Sequence, residues 1–174
     1  SSHHGMAYRM PGVKICAPMT SREYREIYNT FMADSCPYYV SEHRVAHNFS
    51  GVLVDIEEEN PDWVLFPFSV TRFAAENIAK KLGNISVFHQ YWIRPSAISD
   101  KQIKNLEKSK NGGIILDDDY PNGIAKQIAH DLMLKTGKKV YVLALEEKTA
   151  GFTSKVDNLP PDEDRIEKFI RNNA

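Results

Sequence analysis

Trp63-Val64-Leu65-Phe66-Pro67-Phe68 is an unbroken apolar run that follows an acidic stretch, residues 55–62, ending in the turn signal Asn60-Pro61. It shows no polar/apolar alternation, so it reads as a strand buried on both faces, as in a parallel sheet covered by helices. Downstream the pattern repeats. Ala74, Ile78 and Leu82 recur four apart in a helix stopped by Gly83, and Ser86 to Ile93 reads as the next strand, ended by Pro95. Ser99 and Gln102 make a capping box ahead of a helix carrying Ile103 and Leu106. Gly113-Ile114-Ile115-Leu116 is a further strand, with Asp117-Asp118-Asp119 as its exit. Asn122-Gly123 opens a helix with Ile124, Ile128 and Leu132 on one face, and Lys139 to Leu145 is the last strand. Gly151 to Pro161 reads as loop, and Asp162 caps a closing helix with Ile166, Phe169 and Ile170 inward.

Upstream of the run, Val13 to Ala17 is a short strand closed by Pro18. Thr20 and Glu23 form a second capping box, and Tyr24, Ile27, Tyr28 and Phe31 share one helical face. Pro37 ends that helix, and Tyr38-Tyr39-Val40 resumes as a strand running into Glu42-His43-Arg44. Strands alternating with amphipathic helices predict an α/β protein, a mostly parallel sheet with helices on both faces. Residues 63–145 are expected to form one sheet. Its predicted core is Val64, Leu65, Phe66, Ile78, Val87, Phe88, Ile114, Ile115, Ile128, Leu132, Val142 and Leu143.

The 174 residues carry 22 Lys and Arg against 23 Asp and Glu, a net charge of -1, which argues against a nucleic-acid partner. No apolar run is long enough to cross a membrane as a helix. With 42% hydrophobic residues the chain is of ordinary globular composition. Cys16 and Cys36 are too few for a disulfide framework and read as reduced thiols of a cytoplasmic protein. Ser1-Ser2-His3-His4-Gly5 reads as an artificial leader outside the fold.

No local string amounts to a catalytic set: Gly-x-Ser-x-Gly, His-Glu-x-x-His, a Walker loop and a dinucleotide fingerprint are all missing. His43 and His47 lie four apart but at a strand exit, without neighbouring ligand types. Asp117-Asp118-Asp119 has the chemistry to hold a hard cation, though a solvated exit or partner-facing loop is the favoured reading. Glu57-Glu58-Glu59 reads as a solvated linker, and His89 as a satisfied core imidazole. The N–H groups at Asn122-Gly123 could receive an anion.

Several strings, in order, resemble the transketolase superfamily of thiamine diphosphate enzymes, most closely the beta subunit of the decarboxylating component of 2-oxoacid (pyruvate) dehydrogenase complexes. Met10-Pro11-Gly12-Val13-Lys14-Ile15-Cys16-Ala17-Pro18 resembles that family's Pro-Gly-Leu-Lys-Val-x-x-Pro segment. Asp34-Ser35-Cys36-Pro37-Tyr38-Tyr39-Val40-Ser41-Glu42-His43-Arg44 resembles its Asp-x-Asn-Pro stretch ending in Glu-His. Tyr91-Trp92-Ile93-Arg94-Pro95, Asp117-Asp118-Asp119 with Gly123, and the run from Gly151-Phe152 to Leu159-Pro160-Pro161 resemble later segments.

The resemblance implies that residues 6–50 are the tail end of a pyrimidine-binding-type domain. Residues 51–174 would then be the C-terminal domain, a three-layer α/β/α sandwich preceded by a short βαβ piece. It implies thiamine diphosphate and magnesium in the full enzyme. The family's activating glutamate and active-site histidine lie upstream of the Pro-Gly-Val segment, so no catalytic or cofactor-binding residue is carried over. This chain alone is expected to be inactive and to bind no cofactor. A family monovalent-cation site near the end of the first helix maps onto Phe31 and Asp34, with Cys36 where asparagine is usual. The implied partners are a second copy in a homodimer or larger oligomer, a thiamine-binding subunit or upstream domains, and an acyltransferase core. A transketolase moving two-carbon units, or a non-catalytic interaction or regulatory domain of the same fold, are the alternative readings.

Overall fold

β3 (Trp63–Pro67) is buried along its whole length, as coverage on both faces requires. In the computed structural model, which describes residues 3–149 and 157–174, it lies in a four-stranded sheet of order β4-β3-β6-β7. The other strands are β4 (Ile85–Val87), β6 (Gly113–Leu116) and β7 (Val140–Leu143), and all pairings are parallel. Residues 151–156 of the expected Gly151–Pro161 loop lie outside the described residues.

Successive side chains of β3 feed two cores. Trp63 and Leu65 join Ile78, Val87, Ile114, Ile166 and Ile170 beneath α3 (Thr71–Leu82) and α6 (Glu163–Asn173). Val64 and Phe66 join Leu106, Ile115, Ile128 and Leu132 beneath α4 (Asp100–Lys108) and α5 (Ile124–Thr136). The result is a three-layer α/β/α sandwich. Both expected capping boxes are formed, Thr20 with Glu23 and Ser99 with Gln102, and Asp162 caps α6 by accepting from the Arg165 N–H. β6 lies so close to β7 that a Cβ on Gly112 would sit 2.2 Å from the Lys139 carbonyl oxygen, at a φ of +108° that side chains rarely adopt. Of the expected core, Val142 alone is only half-buried.

A second sheet, of order β2-β1-β5, corrects the expectation of a single sheet over residues 63–145. β1 (Lys14–Cys16) pairs parallel with β2 (Tyr38–Val40) and antiparallel with β5 (Trp92–Arg94). The run Ser86–Ile93 is therefore two strands. Bonding along β3 continues past Val87 to Gln90, whose N–H donates to the Pro67 carbonyl, and the chain then changes partner: the Tyr91 carbonyl accepts from the Ala17 N–H. An apolar run looks the same whether or not it changes partner, so periodicity could not show the break.

Ile15, Ala17 and Ile93 belong to the same core as Phe66 and Ile128, so the boundary expected near residue 50 does not separate two cores. Arg94 fastens the junction by donating to the carbonyls of Val13 (2.7 Å) and Tyr8 (2.6 Å). The shared apolar face of α2 (Ser21–Met32) is only partly covered: Ile27 is buried, but Tyr28 and Phe31 are 52% and 41% exposed. Phe31 meets Tyr38 of β2 edge-on, which covers it only in part.

Candidate functional site

In open α/β sheets, ligand-facing groups gather at the carboxyl ends of the strands. Here two polar clusters occupy that edge. The first is built on the exits of β3 and β6. Asp117, Asp118 and Asp119 are all buried there, which corrects the reading of a solvated exit.

They are covered by α1 (His4–Tyr8), and this corrects the exclusion of His4 and Gly5 from the fold. His4 is fully buried, with Nε2 3.0 and 3.2 Å from the two Asp117 oxygens. The Gly5 N–H donates to Asp119 at 2.7 Å, and the Ser69 hydroxyl to Asp118 at 2.8 Å. Burial opposes a charge on His4, but attraction and hydrogen bonding from Asp117, helped by Asp119 and Asp118, outweigh it and raise its pKa to about 9. The imidazolium thus supplies the positive charge that three carboxylates need.

His4, Asp117 and Asp118 also bring three ligand-type atoms within 4.8 Å of one another. One of the three is an imidazole, a poor match for magnesium, which prefers oxygen ligands. The cluster does not fit the magnesium of a thiamine diphosphate site.

Because the folded-state pKa of His4 lies above the ordinary value of 6.5, its contribution is complete below that value and disappears as pH rises through about 9. Denaturant midpoints between pH 6 and 9.5 should therefore fall with a slope that His4→Gln removes. The variant should lose on the order of 2 kcal/mol at pH 6 and little at pH 9.5. A pH slope unchanged in the variant would refute this assignment.

The second cluster lines a cleft of about 620 Å³ between α2 and the exits of β3 and β4. Arg72, 1% exposed, reaches from the first turn of α3 and holds Glu23 in a two-point pair, with N···O distances of 2.8 and 2.5 Å. Burial works against the Glu23 charge. Arg72 and the N–H groups of Met19 and Thr20 overcome it and hold the carboxyl below its ordinary range.

Beside this pair lies His89, 8% exposed. Contrary to the satisfied core imidazole expected, neither ring nitrogen makes a hydrogen bond of good geometry, although the Val54 backbone lies alongside. Burial, then the charge of Arg72, push its pKa down to about 4, so the ring is neutral at pH 7. At the rim, Glu26 accepts from the Tyr91 hydroxyl at 2.8 Å, and Asp55 accepts from the backbone N–H of His89 at 2.8 Å.

The residues aligned with a monovalent-cation site are engaged internally. The Asp34 carboxylate takes the Lys14 ammonium, the Tyr38 hydroxyl at 2.8 Å and the Cys36 N–H at 3.1 Å. The Phe31 carbonyl accepts from the Asp34 N–H. Lys14, then Tyr38, drive the Asp34 pKa well below the usual carboxylate range. His43 caps a short 3-10 helix (Arg44–Asn48) through Nδ1, His47 is exposed, and the structure does not bring the two together with further ligands. Asn122 pairs with Glu147 and Lys126. Glu57 pairs with Lys101 at the surface.

The layered parallel sheet with its appended three-stranded sheet defines the class: a three-layer α/β domain. The particular likeness is to a solved structure described as a split gene transketolase, inactive beta4 tetramer. It matches 97% of this chain with a TM-score of 0.73 at 10% sequence identity, a likeness of fold. This chain spans 59% of that one. No protein-family model and no curated protein sequence matches the chain. Among the described residues, no helix is long and apolar enough to cross a membrane.

Proposed function

We propose that this chain is the C-terminal part of a thiamine diphosphate-dependent enzyme of the 2-oxoacid dehydrogenase type, contributing subunit contacts rather than catalytic groups. The observation that carries the reading is the superposition of nearly the whole chain on about three-fifths of a split transketolase chain. The Pro11-Gly12-Val13-Lys14 segment, which forms the turn into β1, favours the dehydrogenase type. The cofactor, when bound in the complete enzyme, supplies the carbanion chemistry, and a partner subunit or further domains hold it with its magnesium. The residues described here position α1, α2 and the small sheet against the main sheet, with an acyltransferase core as a further partner. A transketolase moving two-carbon units is the second reading, favoured by the name of the similar structure.

Subunit contact is the testable part. Tyr28, Phe31 and Met32 form an apolar end of α2, with Met32 81% exposed, and such surface tends to find a partner. The net charge of -1 offers little repulsion. Light scattering over a concentration series should report a dimer or larger, and Phe31→Glu with Met32→Glu should shift it toward monomer. A strictly monomeric mass up to about 100 μM would overturn the reading.

A further inference from the structure

We propose that the cleft between α2 and the exits of β3 and β4 binds a neutral polyhydroxylated small molecule, a free sugar or polyol, anchored by His89 and Glu26. The inference rests on the cleft alone and stands whether or not the chain serves a thiamine enzyme.

Buried polar groups in native proteins are nearly always paired. Neither His89 ring nitrogen makes a hydrogen bond of good geometry, the Val54 backbone being the neighbour beside the ring, and the side chain is largely shielded from solvent. A neutral imidazole offers one N–H and one lone pair, and a ligand with several hydroxyls, each able to accept or donate, can match either. The charges lining the cleft exclude an anion. Arg22 and Arg72 face three carboxylates, Glu23, Glu26 and Asp55, and Arg72 is already committed to Glu23. A phosphate or carboxylate would enter an excess of negative charge with no uncommitted buried cation to receive it.

The carboxylates keep lone pairs to spare. Glu26 holds the Tyr91 hydroxyl at 2.8 Å and the Trp92 indole N–H at 3.4 Å on one oxygen, leaving the other for a ligand hydroxyl. Tyr91 and Trp92 are half-buried and line the cleft, offering amphipathic rings to the C–H face of a sugar. Contact with the ring nitrogens requires the stretch carrying Val52 and Val54, 65% and 66% exposed, to move off the imidazole.

The test uses the whole chain with 15N-labelled histidine and tryptophan side chains. Xylitol and glucose are titrated as neutral probes, glucose 6-phosphate as the anionic probe and glucosamine as the cationic one. The neutral probes should shift the His89 ring nitrogens and the Trp92 indole signal saturably, with Kd on the order of 1–10 mM. Glu26→Ala, at an exposed rim position, should weaken this at least about tenfold, as should His89→Phe. Because His89→Phe could disturb the core, the Glu26 variant decides if that one fails to fold. A linear response up to about 100 mM overturns the proposal. So does tighter binding of glucose 6-phosphate, a response to glucosamine alone, or full affinity in the Glu26 variant.

Discussion

Arg72→Ala should destabilise the protein by about 3–5 kcal/mol, because it leaves the Glu23 carboxylate buried without its partner. Arg72 and Glu23 are 1% and 6% exposed and meet through two N–H···O contacts, so water cannot take over the lost interaction. That is a large share of the roughly 5–15 kcal/mol by which a domain of this size is stable. The pair joins the first turn of α3 to the first turn of α2, so its loss also loosens the small sheet's helix from the main sheet.

The replacement Glu23→Leu with Arg72→Met removes both charges and should recover most of the loss. The pair also carries an acid signature. With the Glu23 pKa held below its ordinary 4.5, its contribution is present above that value and is lost as pH falls through the folded-state pKa. Urea midpoints for the three proteins at pH 7 and pH 4 measure all of this. An Arg72→Ala cost below about 1 kcal/mol would show that the pair is hydrated in solution.

Ile115→Ala should cost about 2–5 kcal/mol. Ile115 has no exposed surface and lies in β6, between Phe66 of β3 and Val142 of β7. Its side chain enters the core beneath α4 and α5, where β6 is flanked by strands on both sides and little rearrangement can refill the void. Equilibrium denaturation reads the loss directly. A change below about 0.5 kcal/mol, the range of surface substitutions, would place the residue outside the core.

What was legible without coordinates follows from range. The capping boxes at Thr20–Glu23 and Ser99–Gln102 form between residues three apart, so a short string contains both partners. The two-sided burial of β3 is written in its own composition, since no polar residue interrupts it. The candidate sites were not legible in this way. Asp117 meets His4 across 113 positions, and Glu23 meets Arg72 across 49. A triple aspartate looks like a solvated exit until a histidine from the other end of the chain lies on it. His89 lies in an apolar string, and nothing local tells whether its nitrogens find partners. The one hint at Glu23 was its place in a capping box, which does not reveal that the same carboxylate also receives a guanidinium.

By itself the sequence determined an α/β sandwich with helices on both faces of a parallel sheet, because hydrophobic periodicity and helix caps are local and follow from backbone geometry. The tertiary structure alone decided that Ser86–Ile93 divides between two sheets and that the charged groups pair in the interior. Burial and pairing depend on which distant segment arrives at a surface, and the low dielectric it creates then sets the charge of His4, Glu23 and His89.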